Sequence, residues 1–150
     1  MANVVTEHVL LLVPMMIVIM IFPIATTYIM NNYNAQQRQL VLEGAGSNIG
    51  STIQQIYLLM SMPDIMPCNI TVLNPLLPDI EGQQYLITAS QLNNRLTIHF
   101  SLPGIPLYYD YIITIGANAV WEPSELNSLV PNMSVQASKA VDGTIYLRFR

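Results

Sequence analysis

The chain has 150 residues, 52% of them hydrophobic and only 9% charged, with a net charge of −4. This excludes a disordered chain, which is poor in apolar residues and rich in charge. With one lysine (Lys139) and four arginines there is no basic patch for nucleic acid, and the lone Cys68 excludes both an intrachain disulfide and a cysteine-rich metal knuckle.

The charge is unevenly placed. No charged residue lies between Val9 and Gln37, and residues 9–30 read VLLLVPMMIVIMIFPIATTYIM, polar only at Thr26, Thr27 and Tyr28. About 20 apolar residues in a helix cross a hydrocarbon core ~30 Å thick, so the segment is a membrane-span candidate. A removable secretory signal fits poorly, because the residues ahead of the run offer Glu7 and His8 but no fixed positive charge. Pro14 and Pro23 would each break a helix in water. Inside a membrane or a dense helix bundle, neighbours satisfy the freed backbone groups, so the prolines predict a kinked helix surrounded on all sides.

Beyond Met30 the sequence turns polar but stays patterned. Leu42, Ala45, Ile49, Ile53, Ile56 and Met60 are spaced by three or four residues, one apolar stripe at helical period. Gly44, Gly46 and Gly50 each cost a helix about 1 kcal/mol relative to Ala, which predicts either a bend or local melting near 44–50 or close approach of another backbone. Met62-Pro63-Asp64 closes the element. The expected division is a helical part, 1–62, and a globular head, 63–150.

In the head the pattern changes to period two with turn punctuation. Expected strands are 70–73, 85–89, 95–100, 107–115, 134–141 and 144–148, with hairpin turns at Asn93-Asn94 and Asp142-Gly143. Six or seven short strands without a second long helix predict an antiparallel sandwich or small barrel, giving an α+β chain: a long hydrophobic N-terminal helix followed by a β-sandwich-like head. Asn, Gln, Ser and Thr total 39 residues against 14 charged ones, so the exterior is neutral and polar, which suits an extracellular polymer whose like copies would otherwise repel.

A nearly uncharged N-terminal helix, its amphipathic extension and a β-rich C-terminal domain together resemble a type IV pilin. The archaeal branch, with an antiparallel β-sandwich head, is closer than the bacterial one, whose major pilins commonly carry a disulfide that Cys68 alone cannot form. Glu7 and Pro23 are similar to the carboxylate and proline of the bacterial pilin helix, at a different offset. A pilin precursor would show a basic leader ending in Gly, so Met1 is expected to be the first residue after its removal.

The resemblance implies a structural subunit of a helical surface filament, membrane-inserted before assembly and extracellular afterwards, serving adhesion and surface motility. Its partners would be further copies of itself through the N-terminal helices, the membrane, and a pilus assembly machinery. The filament-core residues would be Val9, Leu12, Pro14, Met16, Ile19, Pro23 and Ile24. Glu7 would pair with the N-terminal amine of a neighbouring subunit, or else favour the positive end of its own helix dipole. Alternatives are an archaellin-type swimming filament and a single-span anchor carrying an extracellular β-sandwich that binds a partner.

Individual head residues offer little chemistry. His99, between Ile98 and Phe100, reads as a strand residue. Copper in a cupredoxin-like site would need two histidines, a cysteine and a methionine, and the head has His99 and Cys68. A Ser-His-Asp triad would rest on His99 alone, with no nucleophile elbow around any serine. No catalytic residue, metal or cofactor is expected. Of Tyr108, Tyr109 and Tyr111, strand alternation explains two without any function. Asn69-Ile70-Thr71 and Asn132-Met133-Ser134 are N-x-Ser/Thr glycan acceptor patterns, so Asn69 and Asn132 are candidate glycosylation sites.

Overall fold

The computed structural model describes residues 2–73, 79, 80, 82–104, 108–130 and 133–150, with side chains from residue 12 onward. The architecture is α+β. One helix, α1 (Ala2–Ser61), precedes eight strands: β1 (Asn69–Leu73), β2 (Leu86–Leu92), β3 (Arg95–Ser101), β4 (Tyr108–Thr114), β5 (Ala119–Trp121), β6 (Glu125–Asn127), β7 (Ser134–Lys139) and β8 (Ile145–Phe149). The chain forms two units, residues 1–37 and 38–150. Residues 38–61 of the helix thus belong to the compact unit that also contains every strand.

The strands form two four-stranded sheets, ordered β1-β7-β8-β5 and β4-β3-β2-β6. All pairings are antiparallel except β5 with β8, which is parallel. In each sheet one face is apolar. Leu96, Ile98 and Phe100 of β3 and Ile87 of β2 turn inward from one sheet; Val135, Ala137, Ile145, Leu147 and Phe149 turn inward from the other. Gln91 ties the sheets together, its amide donating to the Ala119 carbonyl (2.8 Å) and its carbonyl accepting from the Trp121 amide (2.6 Å).

The helical stripe read from the sequence is the helix's contribution to this core. Leu42, Ile49, Ile53, Ile56 and Met60 are buried, and Ala45 packs against them. The helix runs without interruption through residues 44–50. Gly46 and Gly50 are instead the floor under β4. A Cβ on Gly46 would lie 3.0 Å from the Tyr111 Cβ, and one on Gly50 would overlap the Tyr111 ring. The close approach is made by an aromatic side chain rather than by another backbone.

The turns follow local chemistry. Asn93 takes φ 55°, the left-handed conformation that the β2–β3 hairpin requires. The β7–β8 hairpin ends earlier than the alternation suggests. Its last pair is Lys139 with Ile145, and the residues between are closed by Ala140 N–H to the Thr144 carbonyl (2.9 Å) and by the Asp142 carboxylate, which accepts from the Thr144 amide (3.0 Å). The Thr144 amide, then the Thr144 hydroxyl and Asp142's own amide, hold the Asp142 carboxyl below the usual range. The helix carries no basic residue in its last turn. Lys139 supplies the charge from β7, its Nζ donating to the Met62 carbonyl at 2.8 Å.

Candidate functional site

The most unusual surface of the molecule is residues 12–30 of α1. Fourteen large hydrophobic side chains in this stretch are each more than half exposed, from Leu12 through Ile24 (71%) to Met30. Leu12, Pro14, Met16, Ile19, Pro23 and Ile24, six of the expected core-helix residues, all belong to it. Val9 and Glu7 lie on the helix backbone, but their side chains fall outside the described residues. No side is hidden and no side is polar, so among the described residues the segment has no apolar partner.

The helix is long and apolar enough to cross a membrane, with a mean hydropathy of 2.2 and none of the apolar window buried in the chain. Leaving fourteen such side chains in water would forgo ~1.5 kcal/mol or more apiece, ~20 kcal/mol together. That exceeds the ~5–15 kcal/mol by which a whole domain is stable. Lipid or the helices of other molecules must cover this surface.

The polar groups within the segment are turned back on its own backbone. Thr26 Oγ1 donates to the Phe22 carbonyl (2.7 Å), with a second contact to that of Pro23 (3.1 Å), and Thr27 Oγ1 donates to the Pro23 carbonyl (2.8 Å). Such back-bonding lets hydroxyls sit in an apolar environment without seeking water. Pro14 and Pro23 are accommodated inside the continuous helix. Pro23, Ile24, Thr27, Tyr28 and Asn31 line a shallow groove where the proline interrupts the donor ladder. Four methionines, Met15, Met16, Met20 and Met30, offer flexible side chains for packing against irregular neighbours.

The head carries a second constellation that the sequence did not assemble. His99 faces outward from β3, directly opposite Asp110 of β4. Its Nδ1 lies 2.6 Å from Asp110 Oδ1, and its Nε2 lies 3.1 Å from Ser90 Oγ on β2. The hydroxyl–imidazole–carboxylate connectivity is that of a nucleophilic triad, formed here across three adjacent strands. Ser90 lies within an extended strand, without the strand-to-helix elbow that lifts a nucleophile and presents amides to an oxyanion. His99 and Asp110 are 41% and 43% exposed, so water screens the pair. The sequence could not flag it, because the three residues are joined only by strand register.

On the inner side of the same sheet, Tyr109 and Tyr111 pack against the core while Tyr108 is left exposed, as alternation predicted for two of the three. Burial first, then the Glu43 carboxylate and Tyr111, push the Tyr109 hydroxyl's pKa up. Cys68 is exposed, its thiol 3.8 Å from the Met60 sulfur. Among the described residues no group of three or more His, Cys, Asp or Glu side chains is placed to hold a metal. Asn69 opens β1 on the outer face of its sheet, whereas Asn132 lies outside the described residues.

No protein-family model, no curated protein and no solved structure matches this chain. The class that the structure defines is therefore architectural: an α+β protein whose long, apolar N-terminal helix adjoins a two-sheet β-domain.

Proposed function

We propose that the protein is a structural subunit of an archaeal type IV pilus, a helical surface filament for adhesion and surface motility, inserted in the membrane by residues 9–30 before assembly and extracellular afterwards. The observation that carries this reading is the all-round apolar exposure of residues 12–30. A span that merely anchors needs only lipid around it. This one is proline-interrupted and methionine-rich, and its threonines are satisfied internally, features that fit close contact with many copies of itself. On assembly the segment passes from lipid into protein, so the hydrophobic gain is small and close packing must hold the helices together. Glu7 retains its proposed role as the partner of a neighbouring subunit's terminal amine. The head, with 22 Asn, Gln, Ser and Thr residues from residue 63 onward, faces solvent on the outside. Catalysis is not part of the proposed role.

The test is detergent removal from the purified full-length protein. Filaments several nanometres wide, seen by electron microscopy and abolished by Ile19→Glu, are the expected result. Monomers that stay lipid-bound one by one would leave the single-span anchor as the correct description. Loss of swimming rather than of attachment, in cells lacking the protein, would identify the archaellin-type filament instead.

A further inference from the structure

The outer face of the β1-β7-β8-β5 sheet holds a cleft of about 200 Å³ lined by Asn69, Glu122, Gln136, Ser138, Tyr146 and Arg148. Strand register builds it in rows. Asn69, Ser138 and Tyr146 are successive neighbours across β1, β7 and β8, and Thr71, Gln136 and Arg148 form the next row. One wall is fixed: Arg148 Nε donates to Gln136 Oε1 (2.8 Å), and its Nη1 reaches Glu122 Oε2 (3.3 Å). The Ser138 and Tyr146 hydroxyls and the Asn69 amide, by contrast, make no side-chain hydrogen bond among the described residues. A pre-set polar wall beside three uncommitted polar groups is a site waiting for a polyhydroxyl ligand rather than for an ion.

The sequence names a ligand that arrives covalently. Asn69-Ile70-Thr71 is an acceptor pattern, and the strand turns Asn69 and Thr71 outward while Ile70 points to the core. β1 is an edge strand, so the acceptor is reachable from the open side of the sheet. We propose that Asn69 carries an N-linked glycan whose first sugar lies in this cleft, against Tyr146 and Ser138. In the transfer, Asn69 Nδ2 forms a bond to the anomeric carbon of a lipid-phosphate-linked saccharide. The carbon–oxygen bond to phosphate breaks, the phosphate leaves with the electron pair, and one Nδ2 proton passes to a base of the host transferase.

The volume suits the assignment. About 200 Å³ is the space of six or seven waters at ~30 Å³ each, enough for one pyranose and too little for a branched glycan, which would extend outward. Tyr146 stands two strand spacings from Asn69, ~9–10 Å, the reach of a single sugar ring attached to an asparagine. A sugar there would also blunt the exposed edge of β1 against pairing with another chain.

The inference rests on the exported filament proposed above, because the saccharide is added outside the cytoplasm. The experiment is peptide mass mapping of the full-length protein purified from the cells that make it, separated into surface and intracellular fractions. A saccharide mass on the peptide containing Asn69, lost in Thr71→Ala and kept in Thr71→Ser, is the expected result. Bare Asn69 in copies that have reached the surface overturns the glycan alone. Copies confined inside the cell overturn export, and the glycan with it. The cradle is tested by a double-mutant cycle on thermal unfolding. Asn69→Gln should lower Tm by a few degrees in the native background and by less than half as much beside Tyr146→Ala. Equal losses in the two backgrounds overturn the cradle.

Discussion

Residues 42–60 and residues 12–30 lie on one helix, yet only the first obeys the helical period. In 42–60 one stripe of apolar residues recurs every three or four positions and is buried, while Glu43, Ser47, Asn48, Ser51, Gln54 and Gln55 between them are exposed, as are Leu58 and Leu59 near its end. In 12–30 nearly every position is apolar and nearly every side chain is exposed. A periodic stripe is written for a partner within the chain, because only one face of the helix meets that partner. An aperiodic apolar run is written for surroundings that other molecules supply on every side. The contrast separates what holds the head together from what the helix is for.

The sharpest way to break the comparison is to damage one stretch and measure the other. Phe100→Ala removes a fully buried ring at the centre of the head and should cost ~3–5 kcal/mol, enough to unfold it or to lower its Tm steeply by circular dichroism. Ile24→Glu, on the exposed stretch, should leave the Tm of the head within the ±0.5 kcal/mol typical of surface changes while abolishing filaments. A large loss of head stability in Ile24→Glu would mean that residues 12–30 do serve this chain's own fold.

The next effect belongs to the head alone and appears at high pH. Burial, and secondarily the Asp79 carboxylate, push the Tyr85 hydroxyl up to about 12 from its ordinary 10. Below pH 10 the folded and unfolded chains both hold the proton. As pH rises from 10 towards 12 the unfolded chain gives it up first, so stability falls, by about 2–3 kcal/mol at ~1.4 kcal/mol per unit. Urea titrations at pH 9 and 11 should show roughly half of this fall, about 1.4 kcal/mol, and Tyr85→Phe should flatten it. An unchanged slope in Tyr85→Phe would assign the alkaline loss to other groups.

The parts of the fold that were legible in the sequence were those written in period or punctuation. The stripe from Leu42 to Met60, the β2–β3 hairpin at Asn93 and the strands of four or more residues all carry that signal. β5 and β6 did not, because Ala-Val-Trp and Glu-Leu-Asn are too short for alternation; Leu126 is buried only because β6 pairs with β2. The parallel pairing of β5 with β8 was equally invisible, since no local residue encodes direction. The apolar segment was legible in full from composition. The Ser90–His99–Asp110 chain and the Asn69–Ser138–Tyr146 row were not, because each exists only once register aligns separate strands.

Three glycines on one helix sharpen the account of why the compact unit's half of α1 is sequence-specific. Nothing lies within 4 Å of a Cβ on Gly44, so Gly44→Ala should stabilise by ~1 kcal/mol through helix propensity alone. On Gly50 the same methyl would overlap the Tyr111 ring and sit 3.0 Å from Ile113 Cγ2. Displacing an aromatic from β4 costs ~1–3 kcal/mol, so Gly50→Ala should destabilise despite the same gain in propensity. Thermal unfolding of the two variants should therefore move in opposite directions. A stabilised Gly50→Ala would show that Tyr111 yields freely and that the close approach is not a constraint.

The smallest expected effect concerns the outward-facing triad, where geometry and surroundings point in opposite directions. The contacts of 2.6 and 3.1 Å connect carboxylate, imidazole and hydroxyl in the order that activates a serine in hydrolases. Activation also needs donors aimed at the developing oxyanion and a site that excludes water, and a half-exposed strand face supplies neither. Read as a surface ion pair, His99 with Asp110 contributes ~0.2–1 kcal/mol and weakens with salt. His99→Ala should accordingly shift Tm by no more than a few degrees, less in 1 M salt than at low ionic strength. Incubation with a fluorophosphonate should label the native protein and Ser90→Ala equally slowly. Rapid labelling that disappears in Ser90→Ala and in His99→Ala would overturn this, making the head a hydrolase that uses its helix only to stay at a surface.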